Sequence, residues 1–125
     1  MARQLDPQCG AFQVAIGVLG RPWNALILGV LQAGPARFGE LFRRCRGVGA
    51  KILSARLKDL ESDGLVRREV EPGPPIRVTY SLTPRGQAFE EVAHAIERWG
   101  RALLPPRART SQRRGARARG PGRRR

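Results

Sequence analysis

Apolar residues recur at helical spacing over several stretches of the chain and alternate over two others, and this rhythm divides it into elements. Residues 9–19 are largely apolar, with Phe12, Ala15, Ile16 and Leu19 on one helical face, and Gly20 ends the run. Pro22 suits the first position of a second helix, where a missing N–H costs nothing. That helix runs through Trp23, Leu26, Ile27, Val30 and Leu31 and stops at Gly34-Pro35. Phe38, Leu41, Phe42 and Cys45 fall at i, i+3, i+4 and i+7, which predicts a third helix beginning near Phe38. After the turn Gly47-Val48-Gly49, a fourth helix is predicted over residues 50–62. Leu53, Leu57 and Leu60 form its buried stripe, while Lys51, Ala55, Lys58 and Ser62 point the other way and Ser54 lies on the flank.

Asp63-Gly64 carries a helix-stop signal. Residues 65–71 then read as a strand, Pro72-Gly73-Pro74-Pro75 as a stiff turn, and residues 76–82, with alternating β-branched positions, as a second strand. Thr83 is placed to cap a last helix with Pro84 at its first position. Phe89, Val92, Ala93, Ile96, Trp99 and Leu103 line one side of that helix. The expected fold class is therefore mainly α with a small β-hairpin wing (α+β). Helix, helix, short glycine-bearing turn, helix and hairpin, in this order and at these lengths, make a winged helix-turn-helix. The domain spans residues 9–104, after a flexible arm at 1–8.

Charge changes the picture. Lys+Arg is 24 against 10 Asp+Glu, a net of +14, and such a balance favours a polyanionic partner. Nine arginines and no acid stand in residues 105–125, which have no aliphatic side chain larger than Ala; this stretch is expected to be a disordered basic tail. The body keeps 15 basic and 10 acidic residues, a net of +5. An N-terminal signal peptide and an apolar run near the ~18 residues of a membrane span are both missing from the pattern, so a cytoplasmic, nucleoid-associated protein of bacterial type is expected, with no membrane partner. Two cysteines do not make a disulfide scaffold.

A helix fits the major groove of B-DNA, so the outward face of the fourth helix offers Lys51, Ser54, Ala55 and Lys58 to base edges. Arg37, Arg43, Arg44 and Arg46 surround the turn and are placed to pair with phosphates. The wing, over about residues 71–77, reaches the adjacent backbone with Arg77 as its nearest cation. Arg56 lies nearer the buried stripe, where an internal ion pair competes with a phosphate contact. One histidine, His94, builds no metal site, and the chain shows no nucleophile–base–acid set or phosphate loop. Neither a cofactor, a metal nor an enzymatic activity is expected. A second reading, a nonspecific architectural DNA- or RNA-binding protein acting through its arginine tail, predicts strong salt dependence without sequence preference.

Four blocks carry a resemblance: Trp23-Asn24-Ala25-Leu26-Ile27-Leu28, Arg37-Phe38-Gly39-Glu40-Leu41, Leu53 through Val66, and Pro75 through Gly86. Together, in this order, they resemble the HxlR-type transcriptional regulators over residues 9–104. The resemblance implies a homodimeric repressor or activator that binds a pseudo-palindromic double-stranded operator. It places dimer contacts on the first and last helices, here Phe12, Ile16, Phe89, Val92, Ile96, Trp99 and Leu103. It also marks Cys9 as a candidate thiol sensor, since thiolates are stabilised near helix N-termini and react there. Cys45, on an apolar stripe, reads as core. Gly49 stands where the family usually has a Ser or Thr cap, Gly20-Arg21-Pro22-Trp23 is one residue longer than the family pattern, and the arginine tail has no family counterpart.

Overall fold

The computed structural model describes residues 4–106. In chain order the elements are α1 (Gly10–Leu19), α2 (Asn24–Leu31), β1 (Ala36–Arg37), α3 (Phe38–Arg44), α4 (Ala50–Ser62), β2 (Val66–Glu71), β3 (Arg77–Leu82), α5 (Pro84–Gln87) and α6 (Phe89–Leu103). The strands form one antiparallel sheet in the order β1-β3-β2, so β3 lies in the middle. Its register pairs Val66 with Leu82 at the base of the hairpin and Glu71 with Arg77 at the mouth of the turn. On the other side Ala36 faces Tyr80 and Arg37 faces Thr79. The expected arm, residues 1–8, lies partly outside the described residues, and the expected tail, 105–125, almost wholly so.

The core of residues 4–90 is built from Ile27, Leu28, Leu31, Ala36, Leu41, Cys45, Val48, Leu53, Leu57, Leu60, Val66 and Leu82. The stripe of α4 is fully buried, as its spacing requires. That helix ends in a Schellman arrangement: Gly64 takes φ +77°, its N–H reaches the Glu61 carbonyl at 3.0 Å, and Leu65 N–H reaches the Leu60 carbonyl at 3.0 Å. Thr83 then joins three elements. Its Oγ1 donates to the Gly64 carbonyl at 2.6 Å and accepts from Gly86 N–H at 3.1 Å, capping α5, while its own N–H reaches the Leu65 carbonyl. A Cβ on Gly86 would run into that Leu65 carbonyl, so glycine is required for the close approach.

Several expectations are corrected. Pro22 is not the first residue of α2: the helix starts at Asn24, and Trp23, its N-cap, sits outside any helical stripe with φ +77°. That backbone reversal leaves the Pro22 carbonyl free to accept a side-chain donor. β1 was not anticipated, because two residues carry no periodicity; Ala36 and Arg37 become a strand by pairing with Tyr80 and Thr79 of β3. The last helix is two pieces, α5 and α6, parted at Ala88. Phe42 and Leu26, expected in buried stripes, are 43% and 42% exposed, and Asn24 and Leu28 take the buried places on α2 instead. Phe42 stacks on Phe38, ring centroids 6.4 Å apart.

From Glu91 onward the chain is a separate compact unit, chiefly α6. This helix is strongly amphipathic and has no buried residue: Val92, Ile96, Trp99 and Leu103 are all exposed. Phe89, at its start, instead packs against the core of its own chain. No single helix is long and apolar enough to cross a membrane.

Candidate nucleic-acid interface

Helix α4 is held to the core by its leucines. Gly49 takes the N-cap position with no side-chain hydrogen bond, so the first turn leaves its N–H groups without a side-chain acceptor. The opposite face presents Lys51, Ser54, Ala55 and Lys58, all four exposed. Arg37 occupies the N-cap of α3, and Arg43, Arg44 and Arg46 follow at its C-terminal end and in the turn; all four are exposed. Arg37 and Arg43, with Pro35, Gly39, Glu40 and Thr79, line an open cleft of about 490 Å³ between β1, α3 and β3. The helix-turn-helix segment thus carries six exposed cations, four on α3 and its flanks and two on the face of α4 that the core leaves free.

The wing is different. Arg77 is exposed, but the register sets Glu71 directly opposite it, so part of its charge is balanced within the hairpin. The sequence reasoning passed over Arg67 and Arg68, both exposed near the base of β2. β2 does not alternate, every residue after Val66 being exposed, so the signal in the sequence was the adjacent Arg67-Arg68 pair itself. Arg56 is resolved as an internal partner: its Nη1 lies 3.3 Å from Asp59 Oδ2 and its Nε donates to the Pro22 carbonyl at 2.9 Å.

The two cysteines are in contrasting places. Cys9 is half-buried at the N-cap of α1, and its Sγ accepts the Phe12 N–H at 3.4 Å. Cys45 is fully buried, and burial pushes its thiol above the ordinary value although the Arg44 guanidinium pulls the other way. Cys45 therefore stays a neutral core group, as its stripe position suggests. His94 lies 3.9 Å from Glu97 on α6. Among the described residues no group of three or more His, Cys, Asp or Glu is placed to hold a metal ion.

Comparison with known proteins returns a consistent set. Residues 18–108 match the family described as HxlR-like helix-turn-helix. The transcriptional regulator YodB of Bacillus subtilis is 37% identical over 101 residues, covering 81% of this chain and 90% of YodB. The uncharacterized regulator YtfH of Escherichia coli is 40% identical over 98 residues, covering 78% of this chain and 77% of YtfH. Among solved structures, reduced YodB superposes with a TM-score of 0.72 at 36% identity, covering 79% of this chain and 97% of that one. The redox regulator HypR in its reduced form gives 0.69 at 31% identity, covering 74% and 92%. YodB has also been solved diamide-treated and quinone-bound, and HypR oxidized.

Proposed function

The chain belongs to the HxlR-like helix-turn-helix family of DNA-binding transcription regulators, and from that premise we propose that it acts as a homodimer on a pseudo-palindromic operator. The observation that carries this reading is the division of α4. Its leucines are consumed by the core, which leaves Lys51, Ser54, Ala55 and Lys58 as a polar face with no role inside the fold. Lys donates to guanine, Ser hydrogen-bonds either partner, and the Ala methyl touches thymine. Arg37, Arg43, Arg44 and Arg46 hold the backbone and set register, and Arg77 reaches it from the wing. Two such helices related by a two-fold axis meet half-sites about one turn, ~34–36 Å, apart. The exposed apolar faces of α1 (Ile16, with Phe12 beside it) and of α6 (Val92, Ile96, Trp99, Leu103) support dimerisation through these helices. We read no catalytic role into the chain, and place it in the cytoplasm on its DNA.

Cys9 is the proposed thiol sensor. Its sulfur already lies among the N–H groups that open α1, so a covalent change there removes the acceptor that Phe12 N–H uses. YodB, a relative, binds quinone in one of its solved forms, and HypR is a redox regulator; both lend the proposal support.

The test is a titration of the chain into its own upstream duplex and a scrambled one at two salt concentrations, with the full chain and with a chain ending at Leu104. Preference for the upstream duplex that survives truncation at the higher salt supports α4 as the reader. Binding that vanishes with the tail and never discriminates favours the nonspecific reading. Lys51→Ala or Lys58→Ala is expected to cost about 1–3 kcal/mol on the preferred duplex, and an unchanged affinity in both removes α4 from the role. Quinone treatment is expected to weaken binding by the wild-type chain and not by Cys9→Ser.

A further inference from the structure

We propose that the joint between α1 and α2 is a clamp that sets the pose of α4, with Asp59 as its central positioning residue; this rests on the reading of α4 as the DNA-reading helix. The joint grips α4 at two separated places. At the first, the Trp23 ring lies over Gly47 in the turn that leads into α4, close enough that a Cβ on Gly47 would stand 3.3 Å from the indole. At the second, Asp59 Oδ2 takes Arg21 Nη1 at 3.4 Å and Arg56 Nη1 at 3.3 Å, while Arg56 Nε donates to the Pro22 carbonyl at 2.9 Å. Three consecutive joint residues, Arg21, Pro22 and Trp23, therefore touch α4 or its approach. Ala50 and Asp59 are ~13 Å apart along the helix axis at the standard rise, a lever long enough for two grips to fix tilt as well as position.

The joint itself is shaped for this task. Trp23 holds φ +77°, a left-handed backbone that a bulky L-residue rarely adopts. Its neighbour Asn24 is wholly buried, and its Nδ2 donates to the Val18 carbonyl at 2.9 Å, closing the joint back onto α1. Asn24 Oδ1 has no hydrogen-bond partner. An uncommon backbone and an unsatisfied buried oxygen persist where surrounding contacts over-determine the geometry. The Arg21–Asp59 pair is too exposed, at 50% and 38%, to add much stability. What it supplies is orientation: Arg56 and Asp59 lie on the flank between the leucine stripe and the face bearing Lys51, Ala55 and Lys58. Any displacement of α1 is thereby passed to the reading helix.

The experiment compares the full chain with Asp59→Asn, Asp59→Glu, Arg21→Gln and the Asp59→Asn/Arg21→Gln double variant. Three quantities are read: the ratio of affinities for the upstream and scrambled duplexes, amide hydrogen exchange over residues 50–62 without DNA, and the thermal midpoint. Asp59→Asn and Arg21→Gln are each expected to lower the affinity ratio by about fivefold, with the double variant no worse than the poorer single, as coupled partners require. Affinity for the scrambled duplex stays within about twofold, exchange in α4 rises, and Asp59→Glu recovers the ratio. An equal loss on both duplexes makes Arg21 a phosphate ligand and overturns the clamp. So does a lowered midpoint with the ratio and the exchange pattern unchanged, or strict additivity of the two substitutions. If the wild-type chain fails to discriminate, the function reading falls and the clamp's role in DNA reading falls with it, whereas a wild-type chain that discriminates together with unchanged exchange in the variants rejects the clamp alone.

Discussion

Helices α4 and α6 both carry apolar stripes at helical spacing, yet α4 buries Leu53, Leu57 and Leu60 at 0%, 1% and 0% exposure, whereas Val92, Ile96, Trp99 and Leu103 of α6 stand at 44%, 40%, 68% and 64%. The stripe in each case states that one face avoids water; it does not say which surface covers that face. On α4 the covering surface is the chain's own core, so the remaining polar face is free for an external partner. On α6 the apolar face is itself what remains, and hydrophobic contact with a second copy is the economical way to remove it from water. In the proposed dimer, one helix meets DNA with its polar side and the other meets its twin with its apolar side.

Substitutions sharpen this contrast. Leu57→Ala is expected to cost about 2–5 kcal/mol of folding stability, measured by denaturant titration, because it leaves a cavity in a close-packed core. A loss well below that range would mean α4 is covered more loosely than its burial implies. The pair Ile96→Asp/Trp99→Asp is expected to leave helicity intact while weakening self-association by at least ~2 kcal/mol, the scale of central interface anchors. Sedimentation velocity across a concentration series reads this; loss of fold instead of loss of dimer would break the comparison, since α6 would then be a core helix. The smallest effect separates the cysteines along the same inside–outside line. In the native chain iodoacetamide should modify Cys9 and spare Cys45. Because burial raises the Cys45 thiol, the folded state keeps its proton longer than the unfolded chain does. Stability is then full below the ordinary thiol value of 9.0 and falls as pH rises past it. The fall is at most ~1.4 kcal/mol per pH unit, and Cys45→Ala should abolish that slope.

Much of the fold was legible beforehand. The bounds of α4, its three buried leucines, the Asp63-Gly64 stop and the Thr83-Pro84 start are local matters, settled within a few residues by spacing and by the backbone chemistry of Gly, Pro and Thr. The exposed face of α4 follows from the same arithmetic, because burying one side of a helix dictates the other. What eluded the reading was non-local. The two residues of β1 become a strand only because β3, more than 40 positions later, offers them hydrogen bonds. The start of α2 follows a left-handed Trp23 that no propensity favours; its ring lies against Gly47, and its neighbours Pro22 and Arg21 meet Arg56 and Asp59, all arriving from other elements. Arg56 shows the division most plainly. Its place on the flank of a helix could be read from periodicity, with an ion pair and a phosphate as equal claimants. The choice fell to Asp59 and the Pro22 carbonyl, because charge and hydrogen bonding are satisfied by whatever folding brings within 3–4 Å, and proximity in space is not written in order along the chain.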